Sequence, residues 1–325
     1  VAIIHLALES PCRRSMRPLS LLLAVCVPVL ARGLTAARPA KCVSPADQLA
    51  ALEAAPGRPA FDPPAVVVGA GRIGALLASL GPDDAVMTRA GWPANAPAEG
   101  PIYVCTRNDA LDAVVSATPE HRRGDLVFLQ NGMLGDFLEA KGLSDNSVVL
   151  VYLAVAKLGE APTDGTTSEN PEGLTTATGK WAPAMQARLA KAGLTCHVRE
   201  GDDFKVAMLE KHAWICAFML VGAGHGGCTV GSVESDFAGE FDALATELVD
   251  AGSLKLGVAV KPGYLLRLKA YARAVAHFPT AVKEFEWRNG WFFDISKEAV
   301  AAGKADPMPL HTKALRALMP ELPQF

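Results

Sequence analysis

The hydrophobic pattern begins as short apolar blocks separated by chain breakers. Ala65-Val66-Val67-Val68, Ala85-Val86-Met87-Thr88, Ile102-Tyr103-Val104-Cys105 and Leu126–Leu129 are apolar almost without interruption and rich in β-branched residues. Continuous apolarity over so few residues predicts strands covered on both faces rather than strands with one wet side. Val148–Ala156 is predicted as a further strand. Asp47–Ala55, Arg72–Leu80 and Ala110–Ser116 carry apolar residues at helical spacing, and Gly81-Pro82 closes the second of them. Alternating strands and helices predict an α/β domain with a doubly wound parallel sheet.

The pattern then changes. Thr163–Thr178 is polar and turn-rich and is expected as a surface excursion. Beyond Asp203 the helical period dominates, over Lys205–Leu220, Phe237–Leu254, Tyr264–Ala276 and Lys283–Ala302, before a proline-rich tail at Asp306–His311. The expected organisation is residues 1–45 outside the fold, an α/β domain over 46–202 and an all-helical domain over 203–325. With 325 residues the chain is long enough for two such domains.

Composition and charge narrow this only slightly. A formal net charge of -3 provides no basic footprint for nucleic acid. The seven cysteines are scattered without a C-x-x-C pair, so neither a disulfide framework nor a metal site is expected, and buried or incidental thiols are. Near the start, Met16-Arg17-Pro18 precedes an apolar run from Leu19 to Leu30, shorter than the about 20 residues a spanning helix needs. No acidic residue lies between Glu9 and Asp47, while Arg13, Arg14, Arg17, Arg32, Arg38 and Lys41 are basic. A signal peptide and an organelle transit peptide both fit this composition. Met16 is a candidate initiator for such a leader; a mispredicted upstream translation, leaving a cytoplasmic protein, is the third reading. The expectation adopted is a plastid or mitochondrial protein with no membrane association once the leader is removed.

The chemistry starts at Gly69-Ala70-Gly71-Arg72-Ile73-Gly74, which follows a strand and opens a helix. In that setting the first glycine makes the tight turn, the second admits a pyrophosphate to the backbone and the third lets helix and strand pack closely. The helix N-terminus adds free N–H groups and partial positive charge. A Rossmann-like domain is therefore expected, with these six residues binding a dinucleotide. A second match to the spacing, Gly222–Gly227, follows a long helix and starts none, so it is read as close packing at a helix end. At the end of the second strand, where an acidic residue would hold the ribose 2′-hydroxyl of NAD, stand Thr88 and Arg89. An arginine there pairs with a 2′-phosphate, so NADP(H) is the expected cofactor.

Four segments make the chain similar to the ketopantoate reductase (2-dehydropantoate 2-reductase) family over roughly Ala65 to Leu315. They are the glycine turn, Leu129-Gln130-Asn131-Gly132-Met133, Glu210-Lys211 at what reads as the opening of the second domain's helix, and Glu284–Gly290 with its E-x-x-x-x-N-G spacing. Pro307–His311 resembles the family's terminal segment. The resemblance implies a 6-phosphogluconate-dehydrogenase-like second domain and an NADPH-dependent reduction of a 2-oxo acid or related small carbonyl compound. It further implies Lys211 as proton donor, Glu284 at the substrate, Asn131 at substrate and nicotinamide, and Arg107 at the cofactor. Reduction of a ketone needs a proton for the developing alkoxide, which a lysine ammonium supplies. A homodimer is an expected assembly.

The chain also departs from that family. Asparagines expected one and two turns after the lysine are Ile215 and Met219, an expected serine falls near Ala272, and the Arg89–Arg107 stretch is too short for the usual strand and crossover helix. A non-catalytic NADP(H)-binding sensor or structural protein is accordingly the alternative. A hydroxyacid or 6-phosphogluconate type of dehydrogenase is the remoter one.

Overall fold

A computed structural model describes residues 62–325, which lie within one compact unit. The expected helix at Asp47–Ala55 and the leader-like segment lie outside the described residues. The first strands are three-residue runs: β1 (Val66–Val68), then helix α1 (Arg72–Leu80), β2 (Ala85–Met87) and β3 (Ile102–Val104). Helix α2 (Leu111–Ala117), β4 (Leu126–Phe128), α3 (Gly135–Ala140) and β5 (Ser147–Leu150) follow. The chain continues through β6 (Leu153–Ala154), β7 (Thr163–Asp164), β8 (Thr176–Thr178), α4 (Ala182–Ala190) and β9 (His197–Val198).

Seven strands form one sheet in the order β2-β1-β3-β4-β5-β8-β9. Strands β1 to β5 pair in parallel, β8 runs antiparallel to β5, and β9 is parallel to β8. Side-chain alternation divides the core in two. Val66, Val68, Ile102, Val104, Leu126 and Phe128 meet Leu111, Val114 and Leu138 of α2 and α3 on one face. Val67, Tyr103, Val127, Val149 and Ala177 meet Leu77, Met185 and Leu189 of α1 and α4 on the other. This double coverage is why the strands read as continuous apolar runs. No helix joins β2 to β3, as the short Arg89–Arg107 stretch implied. Because β2 and β3 flank β1 on opposite sides, the sheet has a switch point at the carboxyl ends of β1 and β3, where α/β sheets hold ligands.

A buried arginine ties the sheet's first strands to α4. Arg188 is fully buried, pairs with Asp62 (2.8 Å) and Asp84, and lies 4.7 Å over the Tyr103 ring. Asp84 also accepts a bond from the Ala65 amide at 2.8 Å. Burial raises the Asp84 carboxyl above its usual range against the opposing pull of Arg188.

The rest is helical: α5 (Gly201–Gly224), α6 (Val230–Asp236), α7 (Ala238–Leu256), α8 (Tyr264–Ala274), α9 (Asn289–Ala301) and α10 (Pro309–Leu318). Helix α5 is long and apolar enough by composition to cross a membrane, but 72% of its apolar window is buried inside the protein. Every residue from Leu209 to Phe218 is buried, because α6, α7, α8 and α10 surround it and β5 and β8 close its other side.

Four sequence expectations change. Thr163–Thr178 is no mere surface excursion: Thr175, Thr176 and Ala177 are buried, and β8 is an inner strand. Its threonines hid it: their hydroxyls are satisfied only within the fold or by near neighbours, Thr175 Oγ1 accepting from the distant Tyr152 amide at 2.9 Å and Thr176 Oγ1 donating to the Leu174 carbonyl. The single strand over Val148–Ala156 is two, because β6 leaves the sheet to pair with β7. Glu210 and Lys211 do not open a helix but lie within α5, which starts at Gly201. Lys283–Ala302 is broken: Glu284 adopts a left-handed conformation (φ 49°), a single 3-10 turn covers Phe285–Trp287, and α9 starts only at Asn289.

Candidate active site

The glycine turn has the geometry its spacing predicted. Gly69 has φ +97°, and a side chain there would crowd the Cys105 carbonyl and the Thr106 methyl at 3.2 Å. A Cβ on Gly74 would run into the Gly69 carbonyl oxygen, so only glycine lets α1 pack this closely on the turn. Gly71 is the N-cap of α1, makes no side-chain cap bond, and has nothing within 4 Å of where its Cβ would stand. The start of α1 is thus open to an anion. Gly222 and Gly224, by contrast, end α5: a Cβ on Gly222 would collide with Thr280, and His225 stacks on Phe237 at 3.6 Å and bonds Glu240 at 2.9 Å. That second run is helix packing.

A cleft of about 700 Å³ lies along the carboxyl ends of β1, β2 and β3, lined by Gly69, Ala70, Met87, Thr88, Arg89, Gly91, Thr106, Arg107 and Ala113, among others. A tight turn, Gly91 N–H to the Thr88 carbonyl at 3.2 Å, presents Arg89 at the cleft's edge. Arg89 is exposed and has no ion-pair partner among the described residues. Arg107 lies on the opposite lip, paired with Asp109 at 2.7 Å. Ile73 and Arg72 continue the wall into a second cleft of about 370 Å³, and Arg72 Nη1 donates to the Val155 and Ala156 carbonyls at 3.0 and 3.1 Å.

That second cleft gathers Asn108, Gln130, Asn131, Val151 and Glu284. Asn131 and Gly132 follow β4, and the Gly132 backbone (φ 122°) abuts Trp287 so closely that no Cβ fits, while Met133 N–H donates to the Trp287 carbonyl at 2.8 Å. The two segments the family resemblance singled out are therefore docked on one another. Asn108 clamps them: its Nδ2 donates to the Asn131 carbonyl at 2.9 Å and to Glu284 Oε1 at 3.2 Å. Glu284 Oε2 accepts from Arg288 Nη2.

Lys211 approaches from α5. It is buried, donates to the Val151 carbonyl on the cleft wall at 2.7 Å, and lies 5.1 Å over the Tyr152 ring. Burial, reinforced by the positive charge of Arg288, lowers its ammonium from 10.5 to about 7. The neighbouring His212 is pushed down to about 3, mainly by burial, and bonds the Arg288 carbonyl at 3.1 Å, so it is neutral at physiological pH. The structure thus brings Lys211, Glu284 and Asn131 to one end of the sheet beside the glycine turn.

Three functional candidates were not picked out individually by the sequence, although Gln130 and Arg288 lie inside two segments that carry the family resemblance. Gln130 donates to the Val104 and Thr106 carbonyls at 2.9 and 3.0 Å, tying β4 to the end of β3. Asn108 stands beside the more conspicuous Arg107. Arg288 lay within what read as an unbroken helix. Thr106 Oγ1, Asn108 Oδ1 and Gln130 Oε1 are buried without hydrogen-bond partners, and all three residues line the second cleft. Buried unpaired acceptors are costly and call for a donor-bearing ligand. Ile215 and Ala272 are buried and Met219 is partly buried, all three packed into the helical core. Among the described residues no group of three or more His, Cys, Asp or Glu side chains is placed to hold a metal, and Cys105, Cys196, Cys216 and Cys228 are free thiols.

No protein-family model matches the sequence, and no curated protein does so significantly. Solved structures do match. A 2-dehydropantoate 2-reductase of Geobacter metallireducens superposes with a TM-score of 0.55 at 17% identity, covering 79% of this chain and 99% of its own. A ketopantoate reductase of Ralstonia eutropha matches with a TM-score of 0.55 at 16% identity, over 79% and 98% of the two chains. D-mandelate dehydrogenase, solved with NADH, matches with a TM-score of 0.55 at 13% identity, over 80% and 100%. The chain shares the fold of the ketopantoate reductases and D-mandelate dehydrogenase.

Proposed function

We propose that this protein is an NADPH-dependent oxidoreductase that reduces a 2-oxo acid or related small carbonyl compound. The observation that carries the reading is a cleft that gathers Asn131 and Glu284 and whose wall residue Val151 accepts from the buried Lys211, next to an open, glycine-built helix N-terminus. The residues fit a dinucleotide. Gly69 to Gly74 would hold the pyrophosphate, Arg89 and Arg107 the far end with its 2′-phosphate, and the unpaired oxygens of Thr106, Asn108 and Gln130 would receive donors from the nicotinamide half. The bound nicotinamide supplies hydride to the carbonyl carbon.

The chain's own groups do the rest. Lys211 exchanges its bond to the Val151 carbonyl for one to the substrate oxygen and donates the proton that the alkoxide needs. With a value of about 7 it is close to the optimum for proton transfer at neutral pH. Glu284, fixed by Asn108 and Arg288, accepts a bond from a substrate hydroxyl, and Asn131 is held by Asn108 at the junction of the two binding regions. The similar structures named above are a ketopantoate reductase, a 2-dehydropantoate 2-reductase and a mandelate dehydrogenase, which supports this activity class. One ketopantoate reductase of the fold, from Staphylococcus aureus, is dimeric, and a homodimer is the assembly proposed here.

The test is NADPH oxidation with ketopantoate and a panel of other 2-oxo acids. Turnover that Lys211→Ala abolishes, with NADPH affinity unchanged, supports the reductase. NADPH binding without turnover on any carbonyl compound supports the second reading, a cofactor-binding sensor. That reading is favoured by one observation, the burial of Ile215 and Ala272 in the core where the resemblance called for polar substrate contacts.

A further inference from the structure

Arg288 pairs with Glu284, a carboxylate on the wall of the second cleft, and its positive charge bears on the buried Lys211, while His212 is held neutral by burial. The Arg288 side chain is only 14% exposed. Its Nη2 is taken by Glu284, its Nε is buried with no partner, and its Nη1 has none among the described residues. A guanidinium is always charged and offers planar, paired donors, so leaving part of it dry and unpaired is unfavourable unless an anion completes it. Its backbone position is specified by the fold: the Arg288 carbonyl accepts from His212 on α5, and the break between the 3-10 turn and α9 falls on this residue, with φ -118° and ψ -98°. The side chain therefore stands between the helix that bears Lys211 and the segment that bears Glu284.

We propose that Arg288 recognises the carboxylate of the substrate, as a charge-assisted contact beside the reacting carbonyl. This rests on the reading of the site as that of a 2-oxo acid reductase. The carboxylate accepts from Nη1, which has no partner among the described residues, while Glu284 stays on Nη2. It also shields Lys211 from the positive charge of Arg288, so an anionic substrate keeps the proton donor charged whereas a neutral carbonyl compound does not. Selection for acids over neutral ketones is thus built into one side chain, at a place where the core-buried Ile215 and Ala272 contribute no polar contact.

The experiment titrates the NADPH-saturated protein with oxamate, an anion that cannot be reduced, and with its neutral methyl ester, following cofactor fluorescence. Arg288→Gln is expected to weaken oxamate binding by about 10- to 100-fold, the range of a charge-assisted contact, while the weak binding of the ester is unchanged. Arg288→Lys, which keeps the charge but loses the fork, should recover part of the affinity and guards against misreading a poorly folded Gln variant. Equal losses for oxamate and ester, an unaffected oxamate affinity, or no oxamate binding by the wild-type protein each overturn the proposal. Oxamate binding that depends on Arg288 in a protein reducing no 2-oxo acid upholds it while refuting the reductase.

Discussion

The buried Lys211 makes stability depend on pH in a way that can be isolated. Folding lowers its value from 10.5 to about 7 by burial and by Arg288. Between those values the unfolded chain holds the proton that the folded one releases, so stability contributed by this site rises with pH across that window. Below about pH 7 both states are protonated and the full penalty of burying the ammonium applies. Each tenfold difference in proton affinity is worth about 1.4 kcal/mol. Replacing Lys211 with methionine, similar in shape and uncharged, removes the dependence. Urea unfolding of both proteins at about pH 7.5 and about pH 9.5 is the assay. The stability of Lys211→Met relative to wild type should fall by roughly 2 to 3 kcal/mol from the lower pH to the higher. All other titrating groups are common to both proteins and cancel. A difference between the two proteins that is the same at both pH values would show that Lys211 remains charged in the fold, and the assignment of a donor poised near neutrality would fall with it.

Other outcomes follow from single contacts. Arg89→Asp should weaken NADPH binding by about 10- to 100-fold, as loss of a charge-assisted phosphate contact, with NADH changed far less in parallel titrations; equal losses would remove Arg89 from the cofactor site. Arg188→Met leaves Asp84 buried without its cationic partner, while Asp62 keeps Lys191, and should cost about 3 to 5 kcal/mol in denaturant unfolding, partly recovered when Asp84→Asn is added. Gly74→Val drives a side chain into the Gly69 carbonyl and should abolish NADPH binding in a titration while thermal unfolding shows the rest of the fold retained.

What could be read from the chain itself was local. Strands β1, β3 and β4 announce themselves because each is buried on both faces and so is apolar at successive positions, whereas β2 is apolar too but, at the sheet edge, leaves Val86 exposed. The glycine turn is legible because sterics leave glycine alone at Gly69 and Gly74, whatever surrounds them. Helix α5 is legible in place and content but not in its ends: it runs four residues beyond the expected Lys205–Leu220 on each side, where Gly201, Asp202 and Asp203 carry no apolar period and Gly222 and Gly224 read as a helix stop.

The remainder depends on distant segments. Strand β8 is Thr-Ala-Thr, and only its place between β5 and β9 makes it an inner strand. The helical pattern over 283–302 gives no hint of the break at Glu284–Arg288, which Trp287 imposes by docking on Gly132 more than 150 residues earlier. Asn108 and Gln130 are ordinary polar residues until the sheet brings Asn131 and Glu284 within reach of the first and the Val104 carbonyl within reach of the second. Sterics and periodicity are properties of neighbours in the chain, so sequence determines them directly. The lowered ammonium of Lys211 and the unpaired edge of Arg288 are products of burial and of charges brought together by packing, and only the tertiary structure decides those.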